Sequence, residues 1–457
     1  MTTSSSPLRA SAARLHGAVL AIAVPAICAN FTMVLPGLVD TAFIGRLGIA
    51  AALGGVSIGS TLCGFVLWAF SFLRMGTAGF TAQAYGARDN AELRACFLRS
   101  LILAILFGTV LLSLMVPLGK LGLLFFAPGP AVADYARRYY HFRLFSAPFD
   151  LLLFVVLGWL LGTQRAVLAM ALQILLNLIN VALCWLFVIR LQMNVDGAGL
   201  ATALSQTVTA CLGLIIVFAI LRRTGFREKS ETRLFDAAKL IRIMSVNRDI
   251  FIRTFALLAV FGYFVRLGAQ FGDVTLAANH ILFGFLSAIA QGLDGFAQAA
   301  ETLVGQAIGA RDPVRLRAVT RLSSLWAGGL ALLMSLVLLL AGPPLLPVFT
   351  NEAEVLATAT RYFPWIALMP VVAVACYQLD GIYIGATRGR ELRNGMLIAT
   401  IIAIAIEAVL APLYGNHGLW FALICLFVLR AATLLAWYPR IPRQLALAVP
   451  ASQGVSL

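Results

Sequence analysis

An all-α integral membrane protein, with twelve transmembrane helices in two pseudo-symmetric six-helix lobes, is the fold class predicted by three features of this sequence. Hydrophobic residues make up 61% of the 457 and charged residues only 12%, with a mean hydropathy of +0.94. A soluble domain of this length needs far more polar surface. Apolar stretches recur from Gly17 to Trp437, each long enough to cross a hydrocarbon core of roughly 30 Å as a helix. The third feature is an internal repeat. Gln83-Ala-Tyr-Gly-Ala-Arg-Asp89 returns as Gln306-Ala-Ile-Gly-Ala-Arg-Asp312. The same offset carries Arg138-Tyr139 onto Arg361-Tyr362, and Gly158 and Gly162 onto Gly381 and Gly385. Two such halves in so apolar a chain imply a duplicated membrane transporter with its substrate path between the halves.

The elements follow in order. Residues 1–16 form a Ser-rich tail with Arg9 and Arg14, and lack a cleavage site directly after a short apolar core, so no removed signal peptide is expected. The first lobe, 17–221, holds spans at 17–44, 51–84, 94–118, 136–162, 167–190 and 197–221. A polar loop, 222–247, joins it to the second lobe, 248–438. That lobe holds spans at 248–271, 276–308, 316–341, 356–385, 392–413 and 418–438, and residues 439–457 form a closing tail. The second, eighth and tenth spans exceed the core thickness and are expected to tilt or protrude. Six is even, so both lobes run in the same direction, as a parallel repeat about an axis along the membrane normal.

The net charge is +15, from 34 Lys and Arg against 19 Asp and Glu. The basic residues lie in short loops rather than on one folded face, which argues against a nucleic-acid partner. Most fall on one side, in the tails, in 222–247 and around Arg88, Arg311 and Arg388. That bias predicts a multi-pass protein of the plasma (inner) membrane with both termini in the cytoplasm. The seven cysteines show neither metal-ligand spacing nor a disulfide framework.

Charges inside spans are costly and are functional candidates by default. Asp40 closes a first span that carries Pro25 and Pro36. Proline removes a backbone hydrogen bond and kinks a helix, so protonation of a carboxyl there can reorient it. The bland alternative is an interfacial carboxylate bonded to Thr41. Asn177 and Asn180, three apart on one face of the fifth span, can hold Asp40 or a substrate, or simply join helices. In the second lobe Asp294, Gln298 and Glu301 share one face of the eighth span. Asp380, with Gln378 nearby, lies in the tenth span and Glu407 in the eleventh. Glu407 occupies the position of Cys184 in the repeat. These acids are read either as a coupled proton- or cation-binding set or as an ion-pair network that fixes the bundle. The glycines from Gly54 to Gly59 are read as helix packing, not a phosphate loop, because no strand precedes them.

Four motifs carry a resemblance: Leu38-Val-Asp40-Thr41-Ala-Phe-Ile-Gly45, Leu73-Arg74-Met75-Gly76-Thr77-Ala-Gly-Phe-Thr81-Ala-Gln83-Ala, Leu293-Asp294-Gly295-Phe-Ala-Gln-Ala-Ala-Glu301, and Leu379-Asp380-Gly381-Ile-Tyr-Ile-Gly385-Ala-Thr-Arg388-Gly. Together they resemble the MATE (multidrug and toxic compound extrusion) family, DinF-like branch, over nearly the whole chain. The resemblance implies the MATE fold, alternating access, and export of drugs or toxic organic compounds against inward H⁺ or Na⁺. It also implies that Asp40 is a proton site that bends its helix and that Asp380 contributes to cation coupling. Two departures stand out. Many relatives have an acid where this chain has Cys184, which leaves Asp40 with Asn177 and Asn180. The NorM-like branch has an acid in the seventh span, where this chain has Arg253 and Tyr263.

The sequence is therefore read as a proton-coupled antiporter. A lipid-linked saccharide flippase of the same superfamily and a Na⁺-coupled MATE exporter remain as alternatives. The chain is not expected to be an enzyme, since no catalytic cluster is present. No cofactor or metal is expected beyond the coupling ion, H⁺ or alternatively Na⁺. The expected partners are membrane lipid and a small cationic or neutral organic substrate, and the chain is expected to be a monomer.

Overall fold

Residues 7–33, 35–46, 49–223 and 236–447 are described by the computed structural model. The ends of both predicted tails and loop residues 224–235, with Arg227, Lys229 and Arg233, lie outside the described residues. Helices make up the architecture, and among the described residues eleven helical stretches are long and apolar enough to cross a membrane. A twelfth span is a bent pair, Pro130–Leu144 and Ala147–Gly162, which meet at 51°.

The chain divides into two compact units. One runs from Cys28 to Arg242 and begins with the end of α1 (Pro7–Thr32). It continues through α2 (Leu35–Gly45), α3 (Ala50–Ala69), α4 (Phe72–Gly86), α5 (Asn90–Ser113), α6 (Met115–Phe126), α7 (Pro130–Leu144), α8 (Ala147–Gly162) and α9 (Ala166–Cys184). A wider π turn, Trp185–Arg190, leads to α10 (Asn194–Arg223). The other unit joins the chain up to Ile27 to the chain from Ile243 onward. It contains most of α11 (Ala237–Ala269), then α12 (Asp273–Gly309), α13 (Pro313–Leu345), α14 (Ala353–Gly385), α15 (Gly389–Tyr414), α16 (Asn416–Trp437) and α17 (Arg440–Leu447).

Several boundaries differ from the sequence reading, each for a local reason. The predicted first lobe takes in all of 17–44, whereas residues up to Ile27 pack with the later helices. Gly295 of α12 leaves no room for a Cβ because Ile27 and the Ala23 carbonyl press against it. The predicted loop 222–247 is largely helical at its end, since α11 starts at Ala237 beside Asp236, which accepts hydrogen bonds from the Ala238 and Lys239 amides. That placement carries Asp249 well inside α11, where it is buried against Arg248 and Arg393. The predicted tail 439–457 opens with α17, which buries Ile441 and Leu445 and leaves its arginines exposed. The fourth span breaks at Phe145–Ser146, where Arg143 reaches over the break to form a fork with Asp150 at 2.7 and 3.1 Å.

The repeat is visible in the backbone. Asp89 and Asp312 each cap the following helix, accepting from the Glu92 and Arg315 amides at 2.8 Å. Left-handed residues recur in pairs: Arg88 with Arg311 (φ 55° and 54°), and Gln164 with Thr387 (φ 60° and 53°). Gly158 and Gly162 let α8 press on the carbonyls of Arg74 and Ala78, and Gly381 and Gly385 let α14 press on those of Ala297 and Glu301. The same small-residue device thus closes the same contact in each unit.

Candidate functional site

The site in the first unit is built on a broken helix. Proline has no N–H to offer the carbonyl four residues earlier, and for Pro36 that carbonyl belongs to Thr32. The chain breaks there, between α1 and α2. Asn177 of α9 fills the missing role: its Nδ2 donates to the Thr32 carbonyl at 3.0 Å. One turn beyond Pro36, Asp40 is fully buried, with a relative exposure of 0%.

The carboxyl of Asp40 collects three donors from three helices. The Tyr139 hydroxyl of α7 donates to Oδ2 at 2.6 Å. Thr202 of α10 donates to Oδ2 at 2.9 Å, and the Cys184 thiol of α9 to Oδ1 at 3.2 Å. Asn180 stands one step back and donates Nδ2 to the Thr202 hydroxyl at 2.9 Å. Gly59 makes room for the tyrosine, since a Cβ there would lie 2.8 Å from its ring. All three direct donors are uncharged. Thr41, the bland partner considered from sequence, bonds to the Gly37 carbonyl instead.

Asn177 and Asn180 therefore do not hold Asp40 directly. One caps the break and the other supports it through Thr202. Tyr139, Thr202 and the Cys184 thiol are the contacts that the sequence reading missed. Tyr139 had a signal, its place in the repeated Arg-Tyr pair, whereas Thr202 had none.

In the second unit the acids differ in their hydrogen-bond partners. Asp380 of α14 is clamped by two buried arginines, Arg253 of α11 and Arg430 of α16, both on Oδ2, the latter at 2.7 Å. Glu407 of α15 is 0% exposed, and neither carboxyl oxygen has a hydrogen-bond partner among the described residues. Gln298 donates to Asp294 at 2.7 Å within α12, and Glu301 is buried two turns on from Asp294. Gln378 is also buried, beside Asp380 in sequence, and belongs to a different cavity.

The MatE family profile matches residues 25–186 and 251–413, which cover both halves of the repeat. This chain belongs to the MATE family. It is 40% identical over 419 residues to DNA damage-inducible protein F of Escherichia coli (strain K12), covering 92% of this chain and 91% of that one. The MATE chain is also 28% identical over 458 residues to a probable multidrug resistance protein NorM of Rhizobium meliloti (strain 1021), covering 95% of each. A solved structure described as an outward-facing multidrug resistance MATE family transporter superposes with a TM-score of 0.84. It is 19% identical to this chain, and the match covers 95% of this chain and 97% of that one. The DinF-like assignment and the MATE fold follow from these likenesses.

Proposed function

We propose that this MATE chain is a secondary active antiporter that exports drugs or other toxic organic compounds in exchange for protons by alternating access. The observation that carries the reading is the shell of Asp40, a buried carboxyl on a broken helix whose hydrogen-bond donors among the described residues are all neutral. A proton on either oxygen turns an acceptor into a donor, so at least one bond from Tyr139, Thr202 or Cys184 has to be remade. Those partners belong to α7, α9 and α10, so protonation is tied to how α2 packs against them. The break at Thr32–Pro36 supplies the place where α2 can turn.

The same shell favours H⁺ over Na⁺. A hard cation wants a full set of oxygen ligands, whereas here a thiol occupies one face and both carboxyl oxygens are already engaged. The two buried arginines of the second unit, Arg253 and Arg430, are tied to Asp380, which speaks for a cationic or neutral substrate over a saccharide phosphate. The distribution of arginines supports a cytoplasmic position for both termini, and the chain is read as a monomer. The test is dye efflux from proteoliposomes under separately imposed gradients. Efflux is expected to persist in Na⁺-free buffer and to collapse with a protonophore. Full efflux driven by an inward Na⁺ gradient alone overturns proton coupling.

A further inference from the structure

The helices α13, α14 and α16 enclose a cleft of about 530 Å³ inside the second unit. This volume is within the range of ligand pockets, roughly 300–1,000 Å³. Its walls are mostly aliphatic, including Val372, Leu379, Val428 and Leu435, and no lining side chain is charged. Two polar side chains nevertheless face it with no hydrogen-bond partner among the described residues. They are the Gln378 amide, at both Nε2 and Oε1, and the Thr320 hydroxyl. Gln378 is 3% exposed. A buried carboxamide left without partners is costly, so this cleft is suited to a ligand that is apolar along most of its length and hydrogen-bonds at one level.

Depth identifies the level. Both α13 and α14 have 33 residues, hence roughly 50 Å of helix against a core of roughly 30 Å, which leaves about 10 Å beyond the core at each end. Thr320 lies seven residues from the start of α13 and Gln378 seven residues from the end of α14, so both lie about 10 Å inside the same end. That is the boundary between acyl chains and headgroups. The end is strongly basic. Arg317 and Arg321 are exposed on α13, and Arg440 and Arg443 on the amphipathic α17, which is tied to the start of α15 by the Arg388–Gln444 hydrogen bond. Basic clusters at this level attract anionic headgroups.

We propose that this cleft binds one anionic glycerophospholipid from the leaflet at the arginine-rich end. An acyl chain fills the aliphatic part, an ester carbonyl accepts from Gln378, and the phosphate lies among the exposed arginines outside. The test is photolabelling of the full chain in lipid nanodiscs with a phosphatidylglycerol that carries a diazirine on its acyl chain, followed by peptide mapping. Label in the segments 372–382 and 428–435 is expected to saturate and to be displaced by unlabelled phosphatidylglycerol in preference to phosphatidylcholine. Ala432→Trp, which fills the exposed rim, is expected to lower that label at least about fivefold. Gln378→Leu, which removes the hydrogen bond, is expected to weaken competition about tenfold. Label that rises without saturation, as on the outer face of α13 at Leu332–Leu340, overturns the proposal. So does equal displacement by phosphatidylcholine, or displacement by an exported dye but not by phospholipid, which makes the cleft a substrate site.

Discussion

The Nδ2 of Asn177 lies 3.0 Å from the carbonyl oxygen of Thr32, the one backbone acceptor that Pro36 leaves without its helical partner. One helix thereby completes the hydrogen bonding of another at the point where it breaks, eight residues before the buried Asp40. Removing this donor strands a polar group in an apolar setting, while replacing the proline supplies a backbone N–H at position 36. Asn177→Ala is expected to lower stability by about 1–3 kcal/mol. Adding Pro36→Ala is expected to restore most of the loss, because the two sites act on one carbonyl. Thermal unfolding in detergent of the two single variants and the double variant checks this. A double variant no more stable than Asn177→Ala contradicts it.

Asp380 and Glu407 offer opposite responses to the loss of a carboxylate. Asp380→Asn leaves Arg253 and Arg430 buried without their shared counter-charge, and is expected to destabilise the protein by about 3–5 kcal/mol. Glu407→Gln removes a carboxyl that has no hydrogen-bond partner among the described residues, so its melting temperature is expected to match or exceed that of the unmodified protein. Melting temperatures of the purified variants distinguish the two. An unstable Glu407→Gln assigns that side chain a structural bond.

The paired glycines make a symmetric prediction. A methyl group at Gly158 meets the Arg74 carbonyl, and one at Gly381 meets the Ala297 carbonyl, both backbone atoms inside tight helix pairs. Gly158→Ala and Gly381→Ala are each expected to reduce the yield of monodisperse protein strongly, whereas Gly328→Ala, in open space on α13, has no such effect. Size-exclusion profiles of the three variants decide it.

Cys184 donates to Asp40, so a second carboxyl there brings two acids within reach of each other. Cys184→Asp is expected to add a shared proton to the site and to steepen the dependence of efflux on pH, because like charges at this distance cannot both ionise freely. Cys184→Ser keeps a neutral donor and is expected to keep the unmodified steepness. Equal steepness in all three proteins removes residue 184 from proton binding.

Much of this was legible in the sequence, and the limits are physical. Hydropathy marks spans because a bilayer demands long apolar helices, and twelve followed. Asp40 was conspicuous because charge in an apolar run is rare. Its donors were not, because tyrosine, threonine and cysteine are ordinary residues of apolar helices, and they lie far from Asp40 along the chain. Arg430 lies inside the last span, but only the packing of α11, α14 and α16 makes it a partner of Asp380. The start of α11 was hidden because its first turns are polar and basic, so hydropathy could not separate them from the loop before it.

The most direct test of the account is proton-driven dye efflux by Asp40→Asn in proteoliposomes, with insertion and folding verified alongside. Asparagine keeps the shape of the side chain and its acceptor oxygen but cannot exchange a proton. An imposed pH gradient is expected to drive efflux in the unmodified protein and none in Asp40→Asn, at equal melting temperature. Gradient-driven efflux by Asp40→Asn at the unmodified rate contradicts it.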